Sequence, residues 1–186
     1  MKKILALAGS NSQSSIHRQL LEIAAKNIHA DVTIQDLSRF DNIPIYNPDR
    51  QKAQGFPPEI EAFFQELQSY DGILLASPEY NGSIPAALKN LIDWLSRIQM
   101  RFFSEKPLLL MSTSPGPNGG KTNLTQMATL VPWWGAQLVG TYSLGRYFEV
   151  LDPENMRLNG LEESRLSQAL EKFMQALEST SIEKVA

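Results

Sequence analysis

The stretch Gly72-Ile73-Leu74-Leu75-Ala76-Ser77-Pro78-Glu79-Tyr80-Asn81-Gly82-Ser83-Ile84-Pro85 decides how this chain is read. Its first five residues form a short, uninterrupted apolar run, the pattern of a strand buried on both faces. Beyond Pro85, apolar residues return at Leu88, Leu91, Ile92, Leu95 and Ile98, which is helical spacing, and a proline suits the opening of a helix. A polar loop rich in turn formers therefore leaves the carboxyl end of a core strand and enters a helix amino terminus. Ligands of open α/β sheets bind at such places.

The same alternation extends in both directions. Strands are predicted at Lys3 to Ala8, Val32 to Leu37, Gly72 to Ala76, Pro107 to Ser112 and Gln137 to Thr141. Helices are predicted at Ser15 to Ile28, Pro58 to Gln68, Pro85 to Ile98, Lys121 to Val131 and Leu161 to Glu178, the last with Leu166, Leu170, Phe173, Met174 and Leu177 on one face. Interleaved strands and helices define a parallel three-layer α/β sheet. Ser38 to Phe56 and Tyr142 to Asn159 read as long loops, too short for domains, so residues 1–186 are expected to form a single domain. The tail from Ser179 to Ala186 is expected to fray.

Composition narrows the function classes. With 186 residues, 42% of them hydrophobic, the chain can bury a real core. A net charge of -3 without any basic block argues against a nucleic-acid surface. The absence of cysteine removes disulfides, thiolate catalysis and Cys-based metal sites. No apolar run approaches the ~20 residues of a membrane span. The amino-terminal apolar segment is of strand length and runs into a Gly-Ser turn, so it reads as a first strand rather than a signal peptide. Cytoplasmic residence is the expectation.

The loops discriminate between the doubly wound sheet orders. Gly9 to Ser15, Ser77 to Ser83 and Ser112 to Gly120 follow strands one, three and four. In the order 2-1-3-4-5 those strands are adjacent, and their loops share one rim, which favours this flavodoxin-like sheet over a Rossmann sheet. The first loop, Gly9-Ser10-Asn11-Ser12-Gln13-Ser14-Ser15, is dense in hydroxyls and opens a helix, where free amides and the dipole favour an anion. It reads equally as a turn with a serine N-cap. The third loop ends in Gly120-Lys121-Thr122, the tail of a phosphate-binding P-loop, but the glycine that motif requires is Pro115. An ATPase is rejected. Gly116, Gly119 and Gly120 instead suit a backbone that passes close to a flat ligand.

Other candidates are weaker. His17 lies on the first turn after the serine loop, as a ligand contact or otherwise a surface helix residue. His17 and His29 are not at metal-ligand spacing, so no metal site is expected. Trp133-Trp134 is expected to bury the fourth helix or an interface. Glu79 reads as a local hydrogen-bonding or subunit-contact group.

Taken together, Gly9-Ser10 with its serine-rich turn, Ser77 to Asn90 with Asp93-Trp94, and Ser114-Pro115-Gly116 with Gly119-Gly120 resemble the NADPH-dependent FMN reductase family, which includes quinone, chromate and azo reductases. The resemblance spans Lys3 to Thr141 and includes Ile43-Pro44-Ile45-Tyr46-Asn47-Pro48-Asp49. It implies a flavodoxin-like fold, bound FMN, NADPH or NADH as reductant, a quinone, flavin or similar acceptor, and a homodimer or homotetramer. Trp94 and Arg97 are the interface candidates. The cofactor-binding residues it implies are Ser10, Ser12, Ser15 and His17 for the phosphate, Pro78, Glu79, Tyr80, Asn81 and Gly82 along the ring, and Ser114, Gly116 and Gly119 on its other flank. No catalytic acid, base or nucleophile is implied. Many relatives carry arginine where this sequence has Ser12. Loss of that charge-assisted contact weakens a phosphate clamp by ~1.5–3 kcal/mol. The alternative from another class is a flavodoxin-like electron carrier or FMN-binding module that does not oxidise NAD(P)H.

Overall fold

In the computed structural model, which describes residues 1–183, five strands form one parallel sheet in the order β2-β1-β3-β4-β5. They are β1 (Lys3–Ala8), β2 (Asp31–Asp36), β3 (Gly72–Ala76), β4 (Pro107–Thr113) and β5 (Gln137–Leu144). The expected flavodoxin-like order is the observed one. β3 pairs with β1 on one side and β4 on the other, and all five of its residues are buried, which explains why its sequence does not alternate.

Helices cover both faces. Ile4, Ala6 and Ala8 of β1, with Leu74 and Ala76 of β3, pack under α1 (Ile16–Lys26) and α7 (Gly160–Glu183). Leu5 and Leu7, with Ile73 and Leu75, face α3 (Pro58–Gln68), α4 (Ala86–Ile98) and α5 (Lys121–Leu130). The two-residue period of a strand thus divides one apolar run between two cores.

The two stretches read as loops contain regular structure. In the first, Leu37–Phe40 forms a 3-10 turn and Pro48–Gln54 forms α2. Asn47 caps α2 by accepting the Asp49 and Arg50 amides at 2.8 and 3.1 Å, with Pro48 in the first turn. In the second, β5 runs on to Leu144, Tyr147–Val150 forms a short α6, and β6 (Leu151–Asp152) pairs antiparallel with β7 (Arg157–Leu158). The carboxyl-terminal helix continues through Glu183, beyond the expected fraying point at Ser179; the last three residues of that expectation lie outside the described residues.

Candidate functional site

The loops after β1, β3 and β4 meet at the carboxyl edge of the sheet, because those strands are neighbours in it. Between them lies an open cavity of about 230 Å³. Ser10, Ser12, Ser14, Ser15, Ile16 and His17 line it from the first loop and the start of α1; Pro78, Glu79 and Tyr80 line it from the second, and Thr113, Ser114 and Pro115 from the third.

Local geometry fixes each wall. Gly9 donates its N–H to the Ala76 carbonyl at 2.7 Å, and a Cβ there would meet Leu88 at 2.8 Å. A larger residue there would need the Leu88 side chain to shift and would press on the Ala76 carbonyl at 3.3 Å. Buried Ser10 accepts the Ser12 amide on its hydroxyl at 3.2 Å. Ser15 is the N-cap of α1, its Oγ accepting the Arg18 amide at 3.2 Å, so its hydroxyl is partly committed to the helix. Ser12 and Ser14 present hydroxyls 3.4 Å apart at the exposed lip. Among the described residues, no lysine or arginine lines the cavity. Arg18, the nearest cation in sequence, is turned away to Asp36 at 2.9 Å and Glu22 at 3.2 Å.

His17 departs from the surface alternative. It is buried, and its Nε2 accepts the Thr113 amide at 3.3 Å, tying α1 to the end of β4. Burial pushes its pKa down to about 4, so the ring is neutral at pH 7.

In the second loop, Tyr80 and Ser83 exchange both backbone hydrogen bonds at 3.1 Å around Asn81 and Gly82. Both central residues have positive φ, 52° and 74°, as a type I′ turn requires and an Asn-Gly pair supplies. Asn81 and Gly82 are therefore the turn's tip and do not line the cavity, whereas Tyr80 lines it with half its surface exposed. In the third loop, Ser114 Oγ donates to the Gly116 carbonyl at 2.8 Å and accepts the Gly119 amide at 2.9 Å. Gly119 (φ 62°) lies outside the lining, and a Cβ there would come within 2.9 Å of the Leu144–Gly145 backbone, so the chain's own packing already demands that glycine. At Gly116 a Cβ would meet nothing within 4 Å. Ser14, Ile16, Thr113 and Pro115 line the cavity beside the site residues named one by one from the sequence; Ser14 belongs to the same serine run and Pro115 to the Ser114-Pro115-Gly116 motif, whereas Ile16 and Thr113 carry no local signal.

One interface expectation changes. Trp94 is fully buried within its own chain, its Nε1 donating to the Pro44 carbonyl at 2.8 Å and its ring meeting Tyr46 edge-on. Of the tryptophan pair, Trp134 is buried while Trp133 is 73% exposed. Among the described residues, no cluster of three or more metal-ligating side chains occurs and no helix is long and apolar enough to cross a membrane.

A flavodoxin-like sheet with a hydroxyl-lined cavity at a helix amino terminus places the chain among open α/β proteins whose loops meet at the carboxyl edge of the sheet. The family model of NADPH-dependent FMN reductases matches residues 2–149, and the chain belongs to that family. A quinone reductase of Escherichia coli is 35% identical over 118 residues, 63% of this chain and 63% of that protein. An NAD(P)H-dependent FMN reductase of Pseudomonas aeruginosa is 38% identical over 117 residues, 63% of this chain and 62% of that protein. The matches thus span less than two thirds of these relatives' length. Among solved structures, the flavoenzyme NAD(P)H:(acceptor) oxidoreductase FerB from Paracoccus denitrificans superposes with a TM-score of 0.76 at 22% identity, covering 96% of this chain and 98% of that one. This likeness shows the fold.

Proposed function

We infer that the chain is an NAD(P)H-dependent oxidoreductase, with FMN as its resident cofactor and a quinone, flavin or similar small molecule as acceptor. The observation that carries this reading is the convergence of three loops on one cavity whose inner wall is serine hydroxyls and the first turn of α1. That donor set fits a phosphate monoester: hydroxyls and unpaired helix amides supply hydrogen bonds, and the dipole supplies the favourable field. The residues that would hold the phosphate are Ser10, Ser12 and Ser15, with His17 as a neutral neighbour. Pro78 to Gly82 and Ser114 to Gly119 would flank the ring. A volume of about 230 Å³ falls below the ~300–1,000 Å³ of cavities that enclose whole ligands, so the cavity receives one end and the rest lies along the open rim.

When bound, FMN supplies the hydride acceptor and donor chemistry, with nicotinamide and acceptor using it in turn in a ping-pong cycle. The protein's share is positioning, and no side chain in the lining is assigned as acid, base or nucleophile. We also propose that residues 1–186 act as one FMN-binding domain in a cytoplasmic homodimer or homotetramer. Equilibrium dialysis tests the phosphate assignment: FMN should bind more tightly than riboflavin, since only the phosphate distinguishes them. Equal affinity would remove Ser10, Ser12 and Ser15 from the site. Anaerobic titration with NADPH and with NADH tests the activity. Bleaching of the flavin absorbance is expected, and its absence with both nucleotides would favour the electron-carrier alternative.

A further inference from the structure

Among the described residues, a single buried side-chain polar atom has no hydrogen-bond partner: Asn123 Oδ1. Asn123 is fully buried at the third position of α5. Its Nδ2 donates to Ser77 Oγ at 2.8 Å and to the Pro78 carbonyl at 2.7 Å. A carbonyl only accepts, so the amide nitrogen must face Pro78 and the oxygen must face away.

The tie is reciprocal. The N-cap of α5 is Gly120, which has no side chain to offer, and the Asn123 amide donates instead to Glu79 Oε2 at 3.0 Å. Glu79 thus supplies from another loop the acceptor that a capping residue ordinarily brings, at the positive end of the helix dipole. Its other oxygen accepts from Asn118 Nδ2 at 3.3 Å. A loop carboxylate holds the helix, and a helix amide holds the loop. The orphan oxygen indicates what the arrangement is for. An unpaired buried acceptor is destabilising, a penalty that an apolar residue of similar size avoids. The fold therefore keeps an asparagine here at a disadvantage, and among the described residues the groups its side chain meets are those of the Ser77–Pro78 turn.

We propose that Asn123 is a positioning residue which, paired with Glu79, locks the Ser77–Gly82 loop in the conformation that receives the ligand's ring. The proposal deepens the flavin reading and rests on it only for the identity of that ligand. The test combines hydrogen–deuterium exchange on the apoprotein with FMN titration of wild type, Asn123→Leu, Glu79→Ala and Glu79→Gln. In Asn123→Leu, amides of residues 77–83 should exchange at least ~10-fold faster, with β4 and α1 unchanged. The FMN dissociation constant should rise by a similar factor, while apoprotein melting moves by less than about 2 °C. Glu79→Ala should act in the same direction, and Glu79→Gln, whose amide oxygen still accepts, should recover most of the lost protection. Should Asn123→Leu fail to fold, the two Glu79 variants carry the same comparison. Unchanged loop exchange overturns the proposal, as does acceleration spread evenly over the sheet. A wild type that binds FMN beside an Asn123→Leu protein of equal affinity overturns it and leaves the flavin reading standing. A wild type that binds no FMN, with the loop still loosened in the variants, removes the flavin reading and leaves the clamp.

Discussion

His17 shows how far a single side chain's chemistry depends on what covers it. Its folded pKa of about 4 lies below its ordinary 6.5, so between those values the unfolded chain binds the proton and the folded chain does not. Stability from this residue is therefore fully present above pH 6.5 and is lost as pH falls toward 4, by about 3 kcal/mol over the window. Denaturant unfolding at pH 7 and pH 4.5 should show wild type losing more stability than His17→Gln. Parallel losses would mean that the ring is solvated in the native state. Gly82 presents the opposite case, a residue defined by its backbone. A Cβ there meets only Thr122 at 3.8 Å, so space is available, but φ is +74°. Gly82→Val should cost about 1–2 kcal/mol in turn strain and should weaken FMN binding by displacing Tyr80. Unchanged FMN affinity in that variant would remove the turn from the site.

At the scale of elements, α4 is the hub. Its inner face meets the sheet, and Trp94 and Asn90 reach across to the segment before α2. The Pro44 carbonyl accepts from both Trp94 Nε1 and Asn90 Nδ2, and the Tyr46 amide donates to Asn90 Oδ1 at 2.9 Å. These contacts fasten an otherwise irregular connection to the body of the protein. Trp94→Ala should cost about 3–5 kcal/mol in denaturant unfolding, by cavity formation and the loss of that hydrogen bond. Because the side chain is buried within one chain, the loss should not vary with protein concentration. A concentration-dependent loss would return Trp94 to a subunit interface.

At the scale of the whole molecule, the proposed cofactor and the fold are linked by mass action. A ligand that binds only the native state at 100 times its dissociation constant adds about 2.7 kcal/mol. FMN at that excess should raise the melting temperature, and riboflavin at the same concentration should raise it less. Equal shifts would contradict the phosphate site. Sedimentation of the FMN-loaded protein at micromolar concentration should give a dimer or tetramer mass, and a monomer mass would rule out the proposed assembly.

How much of this was legible in the sequence depends on the range of the interactions. The five strands could be read from local signals, such as an unbroken apolar run at Gly72 to Ala76 and helical spacing after Pro85, and their order from the three polar loops that follow strands one, three and four. The short helix α2 was also written locally, in Asn47-Pro48-Asp49, but its exposed face has no apolar period to mark it. Tertiary structure alone decided the burial of His17 under β4, the enclosure of Trp94 by Pro44 and Tyr46, and the tie between Glu79 and Asn123. Each joins residues dozens of positions apart, and neither periodicity nor composition records which distant carbonyl or amide a side chain will meet once the sheet has brought their elements together.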